Sequence, residues 1–255
     1  MRDPLNLIPI EYNNDEYTII SIDHVPEYDI EDYDLFDDGD MKKYISSVEK
    51  DVRGSYEYKQ MIQYMRENMD MNKCSFYQNV NNIDTTKIKI EIHHEPITLY
   101  DICIIVFNKR KFYHESLEEE MVAKEVMYLH YNLLIGLIPV AETVHELIHN
   151  QYLFVPTDKV LGKYKEFVEL YHPFMLPEQF DILNRIEEAT NSYNNDFQDL
   201  LQRNYIYLDL SGAYNFPKME DVIQSMKNRI DDIRNKKNNN LIVPAFFENI
   251  KKRED

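Results

Sequence analysis

Four of the eight histidines fall in two places, and those places constrain the fold more than any other feature of the chain. The run Lys87-Ile-Lys-Ile-Glu-Ile92 alternates polar and apolar residues, the period of a half-buried strand, and His93-His94 follow it directly. His145 and His149 are four apart in a stretch that reads as a helix from about Ala141 to Asn150, opened by Pro139. That spacing stacks two imidazoles on one helical face, within reach of one cation. An ion shared by both pairs forces a strand and a helix that are distant in sequence to meet. Consecutive strand residues point to opposite sides, so one of His93 and His94 can face the ion and the other a substrate.

Only two cysteines are present, Cys74 and Cys103. They make neither a disulfide framework nor a zinc knuckle, so an ion must be held by histidine and carboxylate.

Ile90-Glu-Ile-His-His-Glu-Pro96 resembles the strand and His-His-x-Pro turn that opens the ββα-metal motif of HNH endonucleases. Leu137-Ile-Pro-Val-Ala-Glu-Thr-Val-His-Glu-Leu-Ile-His-Asn150 is similar to its closing part, where an apolar stretch with proline enters a helix carrying His-x-x-x-His. The resemblance implies His93, His145 and His149 as metal ligands and His94 as general base. It implies a metal-dependent DNA endonuclease, with one divalent ion (Mg, Mn, Ni or Zn) stabilising charge on the phosphate while the imidazole takes a proton from water. DNA is then the partner, and Lys159, Lys163 and Lys165 are candidate contacts to its backbone. Three features depart from the family. Gly136 stands where an orienting asparagine is usual, leaving Asn132 as the nearest substitute. The motif halves are separated by an inserted helix, and bracing cysteine pairs are missing.

Two other readings use the same residues. His145-Glu-Leu-Ile-His149 also matches the H-E-x-x-H pattern of zinc metallopeptidases, with Glu146 as the base. That reading needs a third ligand downstream, from Glu166, Glu169, His172 or Glu188, and leaves His93-His94 unexplained. The third reading is a phage structural or binding protein in which the histidines form a structural metal site without turnover.

A formal charge of −18 excludes coating of nucleic acid by bulk electrostatics. Residues 1–60 carry 16 Asp/Glu against 6 Lys/Arg, whereas residues 83–172 carry 14 against 9, so most of the excess lies outside the histidine-bearing segment. The acidic, tyrosine-containing run from Glu27 to Asp40 reads as a solvated loop or a docking segment for a protein partner. Five glycines, no tryptophan and abundant Asn, Lys, Ile and Tyr suggest an AT-rich coding sequence, as in many bacteriophages. The expected location is the host cytoplasm or, for a phage product, the virion, because no membrane-length apolar run and no secretion signal is present.

The expected fold is α+β, helix-rich around an HNH-like ββα-metal core. Residues 1–82 form an acidic region with short strands (Leu5 to Ile10) and helices, 83–172 the metal domain, and 173–255 a helical region. One or two helices are expected from Met41 to Asn72, interrupted near Gly54, and another from Leu117 to Asn132 capped by Ser116. Leu99 to Phe107 is a buried segment of unassigned type. Further helices are expected near Tyr164–Tyr171, Glu178–Gln202 and Met219–Lys236. The last carries an apolar stripe of Met219, Val222, Ile223, Met226, Ile230 and Ile233, suited to a core or a dimer contact.

Overall fold

Ser55 ends one helix and starts the next. In a computed structural model that describes residues 37–76, 88–191 and 211–239, its N–H donates to the Asp51 carbonyl of α1 (Asp38–Gly54). Its Oγ accepts from the Tyr58 N–H of α2 (Tyr56–Asn68) at 3.1 Å. The interruption expected near Gly54 is therefore a cap, which holds the two helices at a fixed bend. Asp37 caps α1 in the same way, through Oδ1 and the N–H groups of Gly39 and Asp40.

Leu99 to Phe107 belongs to a helix, α3 (Leu99–Phe112), capped by Thr98, whose Oγ1 accepts from the Asp101 N–H. Its apolar residues occupy most of its circumference, with Ile102, Cys103, Ile105, Val106 and Phe107 all buried, so no periodicity distinguished it from a strand. α4 (Glu119–Tyr131) packs against α1 and α3. It starts two residues later than expected. Ser116 Oγ accepts from the Glu118 N–H rather than capping the helix, and Glu118 takes the cap position without a side-chain bond. Glu125, fully buried on α4, is paired with Arg110 at 2.9 Å and accepts from the Tyr171 hydroxyl at 2.9 Å. That network satisfies a charge which burial alone would expel.

The sheet has two antiparallel strands, β1 (Ile90–His94) and β2 (Leu137–Ala141), in a register that sets Ile90 opposite Ala141 and His94 opposite Leu137. Pro139 lies inside β2, not at the first turn of the following helix as expected from the sequence. It is tolerated because its carbonyl accepts from the Ser75 N–H at 2.9 Å, so its nitrogen also faces away from β1, where no ladder bond is lost. α5 (Glu142–His149) follows β2 with no connecting loop. Beneath the pair lies an apolar cluster that includes Phe76, Ile90, Val140, Val144 and Val155.

Gly136 is fixed by close approach. A Cβ there would lie 1.8 Å from the Glu95 carbonyl oxygen, and the Glu95 N–H donates to the Gly136 carbonyl at 3.0 Å. The position that resembled a missing asparagine therefore closes the open end of the strand pair.

α6 (Tyr164–Tyr171), α7 (Pro177–Asn191) and a 3-10 helix, Ser211–Asn215, whose Gly212 and Asn215 carbonyls accept from the Tyr64 hydroxyl, complete the described part of the first compact unit, residues 1–217. The second unit, residues 218–255, contains α8 (Met219–Asn239). The chain is α+β and helix-rich, with a small two-stranded sheet. Five expectations lie wholly or partly outside the described residues: the strands of Leu5 to Ile10, the acidic run before Asp37, the Lys87 start of the alternating strand, the α7 continuation beyond Asn191, and Ile233 of the apolar stripe. Among the described residues no helix is long and apolar enough to cross a membrane.

Candidate metal centre

β1 delivers Glu91 and His93, two residues apart, toward α5, and α5 presents His145 and His149 one turn apart on the answering face. Each of His93, His145 and His149 offers a ring nitrogen, and these three atoms lie within 4.8 Å of one another. The ring centroids are 4.7 Å apart for His93 and His145, 5.2 Å for His93 and His149, and 4.4 Å for His145 and His149. The Nε2 atoms of His145 and His149 are 2.9 Å apart. Two nitrogens bound at about 2.0–2.1 Å to a tetrahedral ion would sit roughly 3.3 Å apart, so a small adjustment of exposed side chains accommodates one. The donor set suits the ion classes that accept imidazole, zinc and nickel among them, better than magnesium, which prefers oxygen.

Two carboxylates hold the outer nitrogens. Glu91 Oε2 accepts from His145 Nδ1 at 2.6 Å, which leaves the Nε2 lone pair of His145 facing its neighbours. Glu95 Oε2 lies 3.1 Å from His93 Nε2, both groups being buried, and a ring that ligates through Nδ1 would donate its Nε2 proton to this oxygen. Burial pushes the Glu95 carboxyl up to about 8. Burial would also raise Glu91, but the hydrogen bond from Lys89 and the neighbouring His145 outweigh it and hold Glu91 below its ordinary value. Burial brings His93 down to about 4; burial together with the neighbouring imidazoles does the same for His145. Burial lowers His149 as well, so all three clustered rings favour the neutral form, which can ligate, at neutral pH.

His94 points the other way, as strand alternation requires. It is buried, stacked on Tyr58, and its Nε2 is 2.9 Å from Nε2 of His130. His130 Nδ1 donates to the Val126 carbonyl at 2.7 Å, so its Nε2 is the acceptor and His94 is the donor. His94 is thereby tied through Nε2 to His130, and its ring is not one of the three whose nitrogens cluster. Asn132 caps α4 and donates to the Tyr128 carbonyl, apart from the imidazole cluster. Lys159 pairs with Asp158 and Lys163 with Glu166, and neither they nor Lys165 line the cleft over the imidazoles. Glu146 is exposed on α5, and the third nitrogen beside the His-x-x-x-His pair comes from His93 upstream rather than from a downstream residue.

The cleft has a volume of about 760 Å³ and takes its positive charge from Arg53, Arg66 and Lys89, three residues the sequence reading did not single out. They come from α1, α2 and the residue before β1, and nothing local in the sequence signals their convergence. Arg66 donates through Nη2 to the Ile90 carbonyl, while its Nε is buried without a hydrogen-bond partner among the described residues.

A family model described as "Bacteriophage G278-like virion protein" matches residues 5–251, nearly the whole chain. No curated protein and no solved structure matches it. The chain belongs to the Bacteriophage G278-like virion protein family. This overturns the HNH resemblance and, with it, the readings as a DNA endonuclease, a phosphodiester hydrolase and an enzyme. The two quoted segments describe how imidazoles on a strand end and a helix reach one another, and that geometry does not specify a reaction. Of the sequence expectations about source and location, the bacteriophage origin and association with the virion are the ones the family supports.

Proposed function

We propose that this member of the G278-like virion protein family is an architectural component of the particle, whose β1–β2–α5 module is cross-linked by one divalent metal ion. The observation that carries the reading is the convergence of His93 from β1 with His145 and His149 from α5. Zinc is the ion the three imidazoles favour, because it tolerates nitrogen donors and a four-coordinate geometry.

The module has a physical need for such a link. A two-stranded sheet is marginal in isolation, and a helix the length of α5 is far below the size at which helices persist unaided. The apolar cluster beneath supplies part of the missing stabilisation. An ion bound only in the folded state adds its binding free energy to folding, about 4 kcal/mol when present at a thousandfold over its Kd. Glu91 and Glu95, which orient two of the three rings, lower the cost of assembling the site.

Elemental analysis of the purified chain tests the reading, together with melting curves before and after dialysis against a chelator. One zinc per chain, and a melting temperature about 10 °C lower after chelation, are expected. A chain that takes up no metal from zinc, nickel or cobalt solutions would refute it.

A further inference from the structure

A tetrahedral ion held by three imidazoles would keep a fourth position for another ligand, and all three rings line the cleft. The walls of the cleft have a character unlike the rest of the protein. Arg53, Arg66 and Lys89 stand against two carboxylates, Glu49 and Glu91, on a chain whose formal charge is −18. Glu49 is engaged by Arg53 at 2.8 Å, and Glu91 by Lys89 and His145. Arg66 keeps a buried Nε that no polar atom among the described residues accepts. The remaining lining is mostly apolar or aromatic and includes Tyr58, Ile62, Leu99 and Tyr100, with the Thr98 hydroxyl turned to Asp101.

Resting on the metal reading above, we propose that this cleft binds a single carboxylate presented by an apolar-flanked peptide segment of another virion component. The carboxylate oxygen completes the fourth position of the ion and lies within the field of Arg53 and Arg66. A lone carboxylate fits better than a polynucleotide for two reasons. With Arg53 on Glu49 and Lys89 on Glu91, the positive charge left over is confined to Arg66 and the ion, a point-like target for one carboxylate, whereas successive phosphates would meet Glu49, Glu91 and a strongly acidic chain. In addition, the apolar side chains around the cations suit the residues flanking an acidic side chain and give a sugar–phosphate backbone nothing to contact. A protein whose family places it in a particle has neighbours that can present such a segment.

The test uses the full chain loaded with cobalt, whose visible spectrum reports the ligands of the ion. The probes are a blocked tripeptide with one glutamate between two leucines, its glutamine counterpart, inorganic phosphate, and a short single-stranded oligonucleotide. The glutamate peptide is expected to shift the cobalt bands and to bind at least about tenfold more tightly than the glutamine peptide. Arg53→Ala, a change at an exposed residue that is not a metal ligand, is expected to weaken that binding by about tenfold and to leave the spectrum of the unliganded protein unchanged. Normal cobalt loading with no spectral response to the glutamate peptide overturns this proposal and leaves the metal site standing. A response to phosphate or oligonucleotide that exceeds the peptide response also overturns it. Failure to load cobalt removes both readings.

Discussion

The Glu91 carboxylate receives the Nδ1 proton of His145 at 2.6 Å, so strand β1 and helix α5 are joined by a contact that also orients a ring nitrogen. Glu91 and His93 are two apart on the strand, and both reach α5. The alternation that makes β1 a strand is what aligns a ring and the carboxylate that orients another.

Glu91→Gln keeps the shape of the side chain but removes the charge that fixes the His145 tautomer. Metal affinity is expected to fall by about 10- to 100-fold, measured by competition with a chromophoric chelator. The melting temperature of the metal-free protein should change little, because this contact is half-exposed. Equal affinities in the two proteins would show that Glu91 does not orient a ligand.

His94→Ala should separate the two members of the tandem pair. His94 is buried against Tyr58 and His130, so its loss leaves a cavity and an unpaired His130 Nε2. A loss of about 2–4 kcal/mol in urea unfolding is expected, with one metal still bound per chain. His93→Ala should instead abolish metal binding, and elemental analysis distinguishes the two variants directly.

Asp51 supplies a pH dependence with a definite sign. Burial, then the neighbouring Glu120, pushes its carboxyl up from 3.8 to about 6. The folded state thus holds a proton that the unfolded chain has released, and this contribution is present below about pH 4 and lost as pH rises through 6. Asp51→Asn should raise the melting temperature by about 2 °C at pH 7.5 and have little effect at pH 4. The same shift at both values would assign the effect to something other than charge.

Gly136→Ala places a methyl group against the Glu95 carbonyl, at a distance that backbone movement alone can relieve. A destabilisation of more than about 3 kcal/mol is expected in urea unfolding. Weaker metal binding should accompany it, because the distortion falls at the end of the strand pair that carries His93. Unchanged stability would mean that the strand ends can separate without cost.

Much of this organisation was legible in the sequence where a residue pattern has one physical cause. The i,i+4 spacing of His145 and His149 and the tandem pair after an alternating strand led to the observed cluster, because helical and strand periodicities fix where side chains point. α3 was not assignable, since a helix buried around most of its circumference has no polar face to mark its period. Pro139 was misplaced because a proline in a strand is acceptable only when its nitrogen faces away from the partner, and pairing decides that. Arg53, Arg66 and Lys89 come from three separate segments, so their meeting is a property of the tertiary fold alone. The identification as an endonuclease went wrong at a different level. Imidazole geometry reports that an ion can be held and says nothing of what the holder is for.

β1 and β2 are neighbours in space, yet the stretch 95–136 between them contains the whole of α3 and α4. A fragment that lacks those helices is expected to lose the register of the strand ends. On the metal reading, metal content then audits the finished protein: a preparation in which the helical layer is misassembled should retain no zinc.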